Sequence, residues 1–77
     1  MKNYYVIELQ TNADGTSGNI VTGYEGSAES EQAYLTTRAA AARSSVMIHA
    51  VMWVDKMGNT LEKKHYVHPV PEEQAAE

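Results

Sequence analysis

Apolar and polar positions alternate along this chain in a way that divides it into five segments. Residues 4 to 11, YYVIELQT, are rich in β-branched and aromatic residues and read as a strand. NADGTSGN follows as a cluster of turn formers centred on Asp14-Gly15, and NIVTGYE is a second strand. Asp-Gly between two apolar runs predicts a hairpin, because the two-residue turn that matches strand twist needs positive φ at both central positions. Such a turn sets Leu9 opposite Ile20, Ile7 opposite Thr22 and Tyr5 opposite Tyr24.

Residues 27 to 43, SAESEQAYLTTRAAAAR, hold strong helix formers with no proline and no glycine, and predict a helix. Ser27 is the expected N-cap, Glu29 and Glu31 suit the positive end of the helix dipole, and Arg43 suits the negative end. The expected apolar stripe runs through Ala28, Leu35, Ala39 and Ala42, interrupted by Gln32. VMIHAVMWVD, residues 46 to 55, is a continuous apolar strand, KMGN a short loop, and TLEKKHYVH the returning strand.

The predicted fold is therefore α+β: ββαββ, a four-stranded antiparallel sheet in the order 2-1-3-4 with one helix on one face. The first and third strands are apolar on both faces and belong inside, whereas the second and fourth are more polar and suit edges. The helix joins strand two to strand three in a right-handed sense. Residues 1–68 form this single domain, and residues 69–77 are expected to be a disordered acidic tail.

One helix covers one face, so register assigns the other. Pairing Val54 with Leu61, Ala50 with His65 and Ile48 with Val67 places these beneath the helix with Tyr5, Ile7, Leu9 and Ile20. Tyr4, Val6, Glu8, Val21, Met47, His49, Val51, Trp53, Glu62, Lys64, Tyr66 and His68 then make the open face. Its apolar members mark an interface, with Tyr4, Val6, Met47, Val51 and Trp53 the expected contacts of a homodimer or higher oligomer.

Composition narrows the function. A chain of 77 residues buries only about 60% of the surface its unfolded form exposes, which favours self-association. No cysteine is present, so disulfides, thiolate zinc sites and cysteine nucleophiles are excluded. The net charge is −4, but three of the ten acids lie in the terminal PVPEEQAAE, leaving seven acids against six bases. General nucleic-acid binding is not indicated by so neutral a body. No run approaches the roughly 20 apolar residues of a membrane span, nor is there a signal-peptide pattern, and a cytoplasmic location in a bacterial host cell is expected.

Catalytic and metal motifs fail one by one. Aligning Gly15 or Gly18 with the invariant glycine of a calcium loop puts Val21 or Tyr24 where a glutamate is required. His65 and His68 are three apart on a strand and point to opposite faces, and two histidines such as His49 and His68 make a poor zinc site. Ser44, Ser45, His49 and Asp55 are near in sequence, which does not make a triad. No catalytic residue, metal or cofactor is expected. Trp53, Tyr66 and Tyr4 beside Lys64 and His49 combine π-faces with cationic donors, a pattern that holds a base and a phosphate. An aromatic dimer interface edged by charges is the plainer reading of the same residues.

At YYVIELQTNADGTSGNIVT, and again at AAAARSSVMIHAVM and KKHYVH, the chain resembles short uncharacterised proteins of tailed bacteriophages and prophages. The resemblance implies a viral source and assigns no site residues. The expected function is a non-catalytic phage-type binding protein, a counter-defence protein that sequesters a host nucleotide-derived signalling molecule in an oligomeric assembly. Ligand contacts are then expected at His49, Trp53, Lys64, Tyr66 and His68. The alternative is a small oligomeric protein–protein interaction module that inhibits or adapts a host or virion protein.

Overall fold

The computed structural model describes residues 1–69, so the tail expected over 69–77 lies, but for Pro69, outside the described residues. Five elements follow in the expected order: β1 (Tyr4–Thr11), β2 (Ser17–Tyr24), α1 (Ser27–Arg43), β3 (Ile48–Asp55) and β4 (Thr60–Val67). The strands form one antiparallel sheet in the order β2-β1-β3-β4. Strand β2 therefore runs parallel to β3, and α1 crosses over β1 to connect them.

Both hairpins use one device, and it is not the two-residue turn. Asn12 N–H donates to Thr16 O at 2.8 Å and Gly15 N–H to Asn12 O at 3.0 Å, while Asp55 N–H donates to Asn59 O at 3.0 Å and Gly58 N–H to Asp55 O at 3.1 Å. Each loop thus has three residues closing on a glycine of positive φ, Gly15 at 90° and Gly58 at 88°, the second common hairpin solution. Asp55 Oδ1 accepts from both Met57 N–H and Asn59 N–H at 2.9 Å, and Asp14 Oδ1 accepts from Thr16 N–H and Oγ1–H. The extra residue shifts β2 by one, so that Leu9 pairs with Asn19, Ile7 with Val21 and Tyr5 with Gly23. In the second hairpin Ala50 pairs with His65 and Ile48 with Val67 as expected. A bulge between Trp53 and Val54 then brings Thr60, not Leu61, opposite Val54.

The main correction concerns which face α1 covers. Its buried residues are Ser30, Tyr34 and Ala41, with Ala33, Thr37 and Arg38 half-buried, a spacing of three and four that defines one helical face. Ala28, Leu35, Ala39 and Ala42, the stripe expected to be buried, face outward and are exposed. Against the inward stripe lie Val6 and Val51, with Tyr24, Trp53 and Tyr66 packed around them. The set expected to be open is therefore largely the helix-covered one. Tyr5, Ile7, Leu9, Ile48, Ala50, Met52, Lys63, His65 and Val67 lie on the face without a helix, and Val21 joins them, leaving Ile20 at the edge of the covered face.

Polar complementarity explains the inversion. The inward stripe of α1 presents hydroxyls and a guanidinium, and the covered sheet face offers the indole, imidazoles and phenols that answer them. Trp53 Nε1–H donates to Ser30 Oγ at 2.9 Å, and His68 Nε2 contacts Ala41 O at 3.0 Å. The centre of the helix-free face, with Ile7, Leu9, Ala50 and Met52, is aliphatic, and its polar groups, Tyr5, Lys63 and His65, lie toward its ends and border.

Candidate functional site

The structure brings the expected ligand-binding residues together and then covers most of them. Val51 is fully buried and Val6 is 4% exposed, so the contacts expected of them in an oligomer are taken by α1. Trp53 lies between Tyr34, whose ring stacks at 6.1 Å, and Tyr4, tilted at 6.5 Å. Tyr66 stacks on His68 at 6.3 Å, with Lys64 Nζ 5.7 Å from its centroid. Among these five residues only Lys64 is exposed; Trp53, Tyr66 and His68 are half-buried and His49 is buried. Met47, just before β3, is half-buried and its carbonyl accepts from His68 N–H at 2.7 Å. The stacking surfaces that a planar ligand would need are occupied by the protein's own rings.

His49 sits in an arrangement that the sequence did not disclose. Its Nε2 is 3.0 Å from Glu8 Oε1 and its Nδ1 is 3.0 Å from Ser44 Oγ. A carboxylate only accepts, so with a neutral imidazole the proton is on Nε2 and Ser44 Oγ–H donates to Nδ1. This is the polarity of a carboxylate–imidazole–hydroxyl relay. The surroundings do not complete a hydrolytic centre. Ser44 is the C-cap of α1, where helix carbonyls disfavour a developing oxyanion. Two nearby N–H groups are also committed, that of Ser44 to Ala41 O and that of Val46 to Ser44 Oγ. What the trio does is tie the end of α1 to β3 and β1 through one buried ring.

A second polar cluster lies at the middle of α1. The Tyr34 hydroxyl is buried without a hydrogen-bond partner of good geometry. Burial pushes its phenol up, the Glu62 carboxylate pushes it further, and Arg38 draws it partly back. Arg38 in turn is held above its ordinary value, first by Tyr66 and then by Tyr34. The helical spacing of Tyr34 and Arg38 was legible in the sequence, but not their direction.

The helix-free face has no other element of the described residues packed on it. Its central strands contribute Tyr5, Ile7, Leu9 and Thr11 from β1 and Ile48, Ala50, Met52 and Val54 from β3, all uncharged. Leu9 is 45% exposed and, on the flanking strands, Val21 57% and Val67 66%. Lys63 and His65 from β4 border it, and with Lys64, Ala50 and Met52 they line a shallow concavity. Among the described residues no group of three or more histidine or acidic side chains is placed to hold a metal ion, and no helix is long and apolar enough to cross a membrane.

Fold and surface together define a two-layer α+β protein in which the described residues leave one sheet face uncovered. No protein-family model, curated protein or solved structure matches the chain.

Proposed function

We propose that this chain is a non-catalytic interaction module that works by protein–protein association through its helix-free sheet face. The observation that carries the reading is the uncharged centre of that face, Tyr5, Ile7, Leu9, Thr11, Ile48, Ala50 and Met52 beside the buried Val54, over which no other element of the described residues packs. A flat apolar surface with a polar border suits a protein partner, whereas small ligands require concave sites that enclose them. In the setting implied by the phage resemblance, the partner is a host or virion protein or the chain itself. The test compares the native full chain with Ile7→Lys in purified form and in bacterial extract. The native chain is expected in complexes from which Ile7→Lys is absent; equal behaviour of the two would sink the proposal.

A second reading, sequestration of a small anionic nucleotide-type signal, is favoured by one observation. Lys63 and His65 border a concavity that Ala50 and Met52 also line, while Lys64, at its margin, directs its ammonium to the Tyr66 ring on the opposite face. This moves the expected site away from His49, Trp53, Tyr66 and His68 to Lys63 and His65, and keeps Lys64 only as a margin of the concavity. Thermal shift with a panel of signalling nucleotides tests it, since a sequestering protein is stabilised by its ligand. A melting temperature indifferent to every nucleotide ends this reading and leaves the first intact.

A further inference from the structure

We infer that the occupant of the helix-free face is a second copy of this chain, stacked sheet on sheet about a two-fold axis parallel to the strands. This rests on the association proposed above and specifies its partner and geometry.

Area is the first argument. Strands lie about 4.8 Å apart and rise about 3.3 Å per residue, so four eight-residue strands present roughly 500 Å² in plan. Two such faces bury roughly 1,000 Å², before the relief of the side chains is added, which reaches the floor for a specific interface. The need is evident on the covered side, where among the described residues the buried hydrophobic cluster is Val6, Tyr34, Ala41 and Val51, with Tyr24, Ala33, Trp53 and Tyr66 partly buried against it. A chain this short gains a second core by pairing.

Charge placement selects the axis. Across the sheet the rows read Asn19–Leu9–Ala50–His65 and Val21–Ile7–Met52–Lys63. An axis perpendicular to the strands lays each strand on its own copy and sets Lys63 and His65 against the same strand of the partner, where like charges repel. An axis parallel to the strands instead lays β4 on the partner's β2, which carries no charged residue. His65 then faces the partner's Asn19, and Lys63 extends past the partner's Val21 to the rim. The same operation sets Leu9 against the partner's Ala50 and Ile7 against the partner's Met52, so large residues meet small or flexible ones. Sheets packed in this aligned manner cross at about 30° with cores about 10 Å thick.

The test uses the full chain. Sedimentation and light scattering are expected to give twice 8.5 kDa, and Met52→Lys to halve that mass with an unchanged far-ultraviolet spectrum. Because the chain has no cysteine, Val21→Cys and Lys63→Cys chains, altered on the two edge strands, are expected with a short bismaleimide to cross-link to each other and not each to itself. Self-linking of Lys63→Cys alone overturns the axis. A dimer indifferent to Met52→Lys overturns the face and points to pairing along the uncharged β2 edge. A purified chain of 8.5 kDa at every concentration overturns the second copy. If that monomer still captures a foreign protein in an Ile7-dependent way, association through this face stands without it.

Discussion

The indole of Trp53 donates to the hydroxyl of Ser30 at 2.9 Å, joining the C-terminal part of β3 to the first turn of α1. Ser30 Oγ in turn donates to Ser27 O at 2.8 Å, and Ser30 is fully buried. This chain of two bonds ties the helix to the covered face of the sheet, and several measurable consequences come from it and its neighbours.

Ser30→Ala leaves the indole N–H of Trp53 without its acceptor in a water-poor setting. The expected loss is about 1–3 kcal/mol of unfolding free energy, read by urea denaturation with Trp53 as the fluorescent reporter. A loss below about 0.3 kcal/mol would mean that water replaces the hydroxyl at no cost and that the bond does not orient the helix.

Tyr34→Phe removes a buried hydroxyl that has no good partner. Stability is expected to stay level or rise, since the desolvation cost of an unpaired polar group goes with it. If unfolding shows a loss above about 1 kcal/mol, Arg38 is a true hydrogen-bond donor to that oxygen.

His49→Ala opens a cavity and strands both Glu8 and Ser44. Destabilisation of about 2–4 kcal/mol is expected, whereas Glu8→Gln, which still accepts from Nε2–H, is expected to cost less. The order of the two midpoints in chemical denaturation checks the assignment, and equal or reversed losses contradict it.

Gly15 and Gly58 hold positive φ with nothing within 4 Å of where a Cβ would stand. Substitution by alanine therefore has a purely conformational cost, about 1–2 kcal/mol at each hairpin, and asparagine a smaller one. Thermal unfolding of Gly58→Ala beside Gly58→Asn measures the difference; if alanine matches glycine, the loop has another conformation.

The hydrogen bonds from the Asn59 side chain and then its backbone hold the Asp55 carboxyl below its ordinary 3.8. A carboxyl whose folded value is depressed contributes stability that is fully present above the unfolded value and is lost as pH falls through the folded one. Acidification below about pH 4 is thus expected to loosen the second hairpin, and Asn59→Ala to bring the Asp55 titration back toward 3.8 when followed by NMR. An Asp55 titration unmoved by Asn59→Ala would assign the shift elsewhere.

Local chemistry made much of this protein legible in one dimension. Strand β1 was read at residues 4–11 and the helix at 27–43, both as found, because β-branched runs, turn clusters and helix formers act over a few residues. The strand order came from polarity, with the apolar β1 and β3 inside. Strand alternation also groups Tyr4, Val6, His49, Val51, Trp53, Tyr66 and His68 on one face, as found, but assigns that face to the open side, and the structure puts it under the helix. Two things only the tertiary structure decided. The first hairpin's register turned on one extra loop residue, which Asn-Ala-Asp-Gly-Thr admits as readily as the shorter turn. The side taken by α1 turned on Ser30, Tyr34 and Arg38 meeting the indole of Trp53 and the phenol of Tyr66. Hydrophobic patterning ranks faces by apolar area, and here the more aliphatic face was left free because hydrogen bonds across the layers favoured the other.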